Sequence, residues 1–146
     1  MNDLSTIEDL RIIEQDDPAA QTIHALKAAV DAFNTARVGP DRSLPLGLVA
    51  CDPSGKVQAG LYGQSYWDWL FVDHLWVGDR YRGAGVGSLL LGRAENVARR
   101  RACIGICLNT MTFQAPIFYE RYGYREFGRL QDVPPGHARI WLAKRL

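Results

Sequence analysis

Residues 75–91 read Leu-Trp-Val-Gly-Asp-Arg-Tyr-Arg-Gly-Ala-Gly-Val-Gly-Ser-Leu-Leu-Leu, and the rest of the chain is interpreted from this stretch. It begins apolar, turns at Gly78 and Asp79, and then has three glycines within five residues before a run of helix-forming residues. This order predicts a strand, a glycine loop and a helix. Glycines allow a close backbone approach, and the unpaired amides at a helix start attract anions. The stretch predicts a phosphate-binding loop, with a plain glycine-rich turn as the alternative.

The spacing of the glycines excludes two common nucleotide-binding loops. A P-loop needs a Lys directly after its last glycine, but Gly87 is followed by Ser88. A dinucleotide-binding loop needs the pattern Gly-x-Gly-x-x-Gly, and the three glycines of residues 83–87 are spaced one residue too closely. The ligand is therefore expected to be a phosphate compound of another kind.

Length and composition limit the number of domains, the class of protein and its possible partners. The chain has 146 residues, so we expect a single domain over residues 1–146 with its core at about 10–146. Hydrophobic residues make up 47% and charged residues 23%, a balance typical of globular proteins. The formal net charge of +1 gives no support for nucleic acid or a membrane surface as a partner.

Cysteine usage and the N-terminus indicate the cellular compartment. The three cysteines are odd in number and lack metal-ligand spacing, so we expect reduced thiols, a cytoplasmic protein and no metal. Residues 1–10 contain acids and no apolar run, so no signal peptide is expected.

Periodicity and turn signals predict the element order β-α-β-β-β-α-β-α-β-β. The crossover helix after the glycine loop implies one parallel strand pair in an otherwise antiparallel sheet. Because the middle strands are apolar almost throughout, helices should cover both faces. The predicted fold is α+β, a three-layer arrangement around a mixed central sheet. The predicted strands are 10–14, 46–51, 56–66, 67–77, 102–109, 124–130 and 138–144, and the predicted helices are 18–36, 85–101 and 114–121.

The loop resembles a motif of the GCN5-related N-acetyltransferases (GNAT). The pattern Arg82-x-x-Gly85-x-Gly87 is similar to the family signature Arg/Gln-x-x-Gly-x-Gly/Ala, whose loop holds the pyrophosphate of acetyl-CoA. The resemblance implies that the amides of the loop bind this pyrophosphate together with Arg82. It also implies that the main chain of the preceding strand pairs with the pantetheine arm. The implied donor-binding residues are Leu75, Trp76, Val77, Arg82, Gly83, Ala84, Gly85, Val86, Gly87 and Ser88.

A second segment resembles the family motif Asn-x-x-Ala-x-x-x-Tyr-x-x-x-Gly-Phe. Ala115, Tyr119 and Gly123 match it in register, with Tyr124 in place of Phe and Thr112 in place of Asn. The wording Phe-Gln-Ala-Pro-x-Phe-Tyr is similar to a bacterial branch whose acceptors are mostly unassigned. By resemblance, Tyr119 protonates the CoA thiolate, since a phenol with a pKa near ~10 is a proton donor at neutral pH.

The base that takes the amine proton is expected on the strand before the loop. Asp73 is the first choice and His74 the second, because relatives often use an acid or a His on this strand. Strict alternation puts Asp73 on the face of Trp69 and Leu75, and His74 on the face of Leu70. A polar residue in so apolar a strand is expected to be buried.

The implied function is an acetyl-CoA-dependent N-acetyltransferase without a metal. It would move the acetyl group directly to a primary amine of a small molecule or a peptide. Two alternatives stay open at this point: a non-enzymatic acyl-CoA-binding or regulatory module, and an enzyme in which Cys51 or Cys107 carries the acyl group first. The C-terminal strands could also pair in a homodimer.

Overall fold

The structure is a computed structural model that describes residues 10–146. Residues 1–9, which include most of the segment predicted to lack a signal peptide, lie outside this range. The chain divides into two compact units, with the boundary between Pro40 and Asp41.

The described part of the first unit contains one helix, α1 (Ala20–Val38). It ends at Gly39, which has a φ of +82°, as the Gly-Pro pair predicts. The strand predicted at residues 10–14 is wrong, because these residues have no strand conformation and Ile12 is 97% exposed. Apolar residues favour a strand only where a neighbouring strand accepts their backbone hydrogen bonds, and a short run cannot report whether such a neighbour exists.

The second unit is built on a six-stranded sheet of order β1-β2-β3-β4-β6-β5. The strands are β1 (Leu44–Cys51), β2 (Val57–Tyr66), β3 (Trp69–Val77), β4 (Gly105–Met111), β5 (Arg125–Gln131) and β6 (Ala138–Arg145). Only β3 and β4 pair in parallel, and the other four neighbours are antiparallel. The predicted mixed sheet and its single parallel pair are confirmed.

Some strand boundaries differ from the prediction where the backbone turns sharply. β3 begins at Trp69 and not at residue 67, because Trp67 and Asp68 have φ values of +43° and +60° and close a turn. Ala102 has a φ of +57° just after the crossover helix, and β4 therefore begins later than predicted, at Gly105. Left-handed backbone at non-glycine residues is uncommon, so periodicity does not reveal these turns.

Three helical segments follow β3: a short 3-10 helix (Asp79–Tyr81), α2 (Val86–Arg100) and α3 (Pro116–Arg121). α2 connects β3 to β4 and buries its apolar stripe against one face of the sheet. The stripe consists of Leu90, Leu91, Ala94 and Ala98, and it meets Leu61, Leu70, Val72, Ile106 and Leu108 of the sheet. Each fully buried Leu contributes about 1.5–3 kcal/mol. Helical cover on the second face of the sheet stays a prediction.

A buried polar cluster ties α2 to the C-terminal strands. Glu95 of α2 accepts hydrogen bonds at Oε1 from the Tyr124 hydroxyl at 3.2 Å and from Lys144 Nζ at 2.8 Å. Tyr124 is only 1% exposed. Burial and the neighbouring Glu95 carboxylate raise the pKa of Tyr124, so the phenol stays protonated and donates. The cluster satisfies the buried carboxylate, which an apolar site would otherwise strongly destabilise.

A β-bulge in β3 changes which side chains face α2. Tyr62 pairs with His74 while Gly63 pairs with Val72, so Asp73 is an extra residue without a cross-strand partner. Leu75 therefore lies on the same face as Val72, packed against the core, and the predicted strict alternation is wrong beyond residue 72. Asp73 and His74 are both exposed, contrary to the expectation of burial, because the bulge turns them away from the core.

The bulge depends on a glycine at position 63. A Cβ there would overlap the Phe71 carbonyl oxygen and lie 3.0 Å from the Val72 Cα. Gly63→Ala should therefore lower the free energy of unfolding by about 1–3 kcal/mol, measured by urea denaturation. Gly47→Ala is the control, since a Cβ at this β1 glycine meets nothing within 4 Å. Equal stability of the two variants would contradict this role of Gly63.

Candidate active site

A cleft opens where the two parallel strands part. Trp69–Val72 of β3 pair with Gly105–Leu108 of β4, and the pairing goes no further among the described residues. β3 continues to Val77 and β4 to Met111, and the space between them forms a cavity of about 820 Å³. Its walls come from residues 73–77, 81–83, 85–88, 109–110, 113–115, 118–119 and 121–122.

The cleft contains almost all of the site residues that the sequence predicts. Asp73, His74 and Tyr119 line it, as does every implied donor-binding residue except Ala84. The cleft wall also contains four residues to which no sequence motif assigned a role: Asn109, Thr110, Phe113 and Gln114. Asn109 and Thr110 follow directly after the last parallel pair, so the end of that pairing is the signal that would have found them.

The glycine loop presents free backbone amides to one end of the cleft. Gly83 and Gly85 have φ values of +74° and +82°, a left-handed conformation that glycine adopts without strain. Gly85 is the N-cap of α2, and the Leu89 amide donates to its carbonyl at 3.0 Å. The Ser88 hydroxyl also donates to the Gly85 carbonyl, at 2.8 Å. The three amides at the start of α2 have no partner within the helix, which suits this end for an anion.

Gly87 lets the third helix approach the loop closely. A Cβ at this position would lie 3.3 Å from the Phe118 ring of α3 and 3.7 Å from Val77 of β3. Phe118 in turn packs against Tyr119, with ring centroids 5.1 Å apart. The absence of a side chain at Gly87 therefore leaves room for the Phe118 ring, which packs beside the candidate proton donor Tyr119.

Arg82 lies at the junction between β3 and the loop. Its Nε donates to the Val77 carbonyl at 3.0 Å, and its Nη1 lies 2.8 Å from Asp79 Oδ1. The Arg82 and Asp79 side chains are 62% and 89% exposed, and an ion pair this exposed is weak. The guanidinium can exchange the Asp79 carboxylate for a bound phosphate, because both are anionic oxygen acceptors that match its planar geometry.

Tyr119 is buried in the wall of the cleft at 9% exposure. It packs edge-on against Phe118 and Tyr124, which fixes the direction of its ring. Burial raises the pKa of the Tyr119 phenol above its ordinary value of 10.0, since the charged phenolate is poorly solvated there. The hydroxyl is therefore protonated over the physiological range. Tyr122 also lines the cleft but is 41% exposed.

The cysteines lie outside the walls of the cleft. Cys51 is exposed at the end of β1, and Cys107 is half-buried in β4. Burial raises the pKa of the Cys107 thiol, which reduces the fraction of nucleophilic thiolate. These positions disfavour a covalent route through cysteine.

Between residues 10 and 146, no cluster of three His, Cys, Asp or Glu residues has the arrangement of a metal site. None of the helices in that same range is both long and apolar enough to cross a bilayer.

Known proteins resemble this chain over most of its length. Residues 45–126 match the family model of the acetyltransferase (GNAT) domain. The chain is 42% identical over 132 residues to the blasticidin-S acetyltransferase of Streptomyces morookaense, covering 88% of this chain and 97% of the relative.

Two crystal structures of acetyltransferases show the same fold. One from Agrobacterium tumefaciens is 33% identical with a TM-score of 0.89, over 94% of this chain and 100% of the other. One from Bacillus cereus is 32% identical with a TM-score of 0.83, over 92% and 98%. The chain therefore belongs to the GCN5-related N-acetyltransferase family, and it is an enzyme that transfers an acetyl group to an amine.

Proposed function

We propose that this enzyme takes the acetyl group from acetyl-CoA and passes it directly to a primary amine of a small molecule. The observation that carries the proposal is the cleft between β3 and β4, which has the glycine loop and the first amides of α2 at one end and Tyr119 in its wall. The relative named for blasticidin-S suggests that compound as the first acceptor to test. Peptide amines are the second acceptor class.

The donor fits the cleft through two kinds of contact. The pyrophosphate would accept hydrogen bonds from the amides at the start of α2 and from Arg82. The pantetheine arm would lie along Leu75, Trp76 and Val77, because the parting of the strands leaves this edge of β3 without a strand partner. Trp76 is half exposed, which is consistent with a role through its main chain and not through core packing.

The reaction requires two proton movements, and the cleft offers a group for each. A neutral amine attacks the thioester carbonyl, forms the new C–N bond and loses a proton, which Asp73 accepts directly or through water. The C–S bond breaks, and the leaving thiolate takes the Tyr119 proton. His74 is the alternative base, because it shares the bulge with Asp73 and lines the same cleft. The enzyme then regains its starting state by exchange of both protons with water.

Calorimetric titration of acetyl-CoA tests the donor site. Arg82→Ala should weaken binding about 10-fold, since a charge-assisted hydrogen bond to phosphate is lost. Arg80→Ala is the matched control, because Arg80 lies over the Tyr81 ring and outside the cleft wall. No binding by the wild type would overturn the proposed function, whereas equal binding by both variants would remove only the role of Arg82.

Release of free CoA in the presence of an accepted amine tests the proton donor. Tyr119→Phe should lower kcat about 100-fold, because the thiolate then leaves without a positioned acid, while the Kd for acetyl-CoA is maintained. Tyr122→Phe removes the same hydroxyl from the same cleft and should leave kcat nearly unchanged. Since burial raises the Tyr119 pKa, wild-type kcat should show no alkaline fall due to this phenol below about pH 10. Equal rates in the two variants would exclude Tyr119 as the acid.

Two near-isosteric substitutions distinguish Asp73 from His74 as the base. Asp73→Asn should lower kcat/KM about 100-fold near neutral pH and make the rate depend on hydroxide, because the amine then loses its proton to solvent. His74→Gln should reduce kcat/KM less than 5-fold, the range expected of a neighbour without a proton to move. The reverse ranking in the steady-state assay would assign the base to His74.

A further inference from the structure

Gln114 occupies the turn between β4 and α3, and its side-chain oxygen is held by two hydrogen bonds. The Thr110 hydroxyl donates to Gln114 Oε1 at 2.8 Å, and the Met111 amide donates to the same oxygen at 2.9 Å. Thr110 is only 6% exposed, so its hydroxyl is shielded from competing water.

These bonds determine which way the Gln114 amide is turned. A backbone N–H can only donate, so the atom facing the Met111 amide must be the oxygen and not the nitrogen. The amide nitrogen therefore faces neither of these two partners, and it makes no hydrogen bond among residues 10–146. Gln114 lines the cleft beside Ala115, so two N–H donors remain available to a molecule bound there.

Thr112, the residue at the Asn position of the family motif, is turned toward β6 and away from the cleft. Its Oγ1 accepts from the Ala138 amide at 3.0 Å, and its own amide donates to the Ala138 carbonyl at 2.9 Å. These bonds hold Thr112 against the start of β6, and it lies outside the cleft wall.

We propose that Gln114 is a donor-binding residue whose amide N–H donates to a carbonyl oxygen of the pantetheine arm. Thr110 is its positioning residue, since its hydroxyl holds the Gln114 oxygen and leaves the amide nitrogen free for the donor. This inference rests on acetyl-CoA being the donor, and it adds a contact from the β4 side of the cleft to those expected from β3 and the loop.

Gln114→Glu is the sharpest substitution, because a carboxylate still accepts from Thr110 and Met111 but has no N–H to donate. Calorimetry with two probes shows where the effect arises. Acetyl-CoA binding should weaken about 10-fold, whereas 3′-phospho-ADP, the nucleotide part of CoA without pantetheine, should bind as it does to wild type. Unchanged acetyl-CoA binding, or an equal loss for both probes, would overturn the proposal. Failure of the wild type to bind acetyl-CoA would instead overturn the proposed function.

A second pair of variants tests the positioning role of Thr110 without altering Gln114. Thr110→Val is nearly isosteric and removes the hydroxyl, so the amide loses one of the two bonds that orient it. The KM for acetyl-CoA should rise about 3-fold to 10-fold with little change in kcat, and Thr110→Ser should restore the wild-type KM. A rise shared by Thr110→Val and Thr110→Ser, or absent from both, would contradict the role of the hydroxyl. The melting temperature of each variant, measured alongside, separates this effect from a loss of folded protein.

Discussion

The structure depends on a single constraint, the end of pairing between two parallel strands in the middle of the sheet. β4 remains hydrogen bonded to β6 along seven residues, so its course is set from that side. β3 follows β2, and the extra residue Asp73 bends it and strengthens its twist. Two central strands that are each held by a different neighbour must separate once one of them bends. The cleft is therefore a product of sheet register, and no loop has to be held open to form it.

Helix α2 connects the glycine loop to the surroundings of Tyr119. Its first turn provides the amides of the glycine loop, and Gly87 in that turn admits Phe118 against it. About two turns later the same helix carries Glu95, which accepts from the Tyr124 hydroxyl, and the Tyr124 ring packs against Tyr119. The amides at the start of α2 and the Tyr119 ring are therefore connected through contacts at both ends of the same helix.

The sequence revealed the parts of the fold that local patterns encode. A strand, a glycine loop and a helix in that order predicted the parallel pair. The resemblance to the family motif at Ala115, Tyr119 and Gly123 singled out Tyr119, which lines the cleft. The features that it did not reveal depend on contacts between distant residues. The bulge at Asp73 requires a glycine at position 63, ten residues earlier on another strand. Alternation within β3 alone could not report it.

Gln114 and the segment at residues 10–14 are two further cases in which distant contacts, and not the local sequence, decide the outcome. Gln114 looked like an ordinary helix-start residue, and its importance comes from a hydroxyl and an amide that the fold brings to its side-chain oxygen. Residues 10–14 had a suitable composition for a strand but did not acquire strand conformation. A pattern of residue types states what a segment is able to do, while the neighbours decide what it does.

Unlike the outer edges of β1 and β5, the unpaired edge of β3 lies in the interior of the sheet, and this position affects its behaviour toward other proteins. An open edge at the border of a sheet is a template on which foreign strands can add and aggregates can grow. Here the open edge of β3 faces the diverging β4 across a wedge that closes at Val72 and Leu108. A single thread-like molecule fits such a wedge, whereas a second sheet does not. The unpaired backbone groups of β3 beyond Val72 are therefore accessible to a slender ligand and shielded from the strands of other proteins.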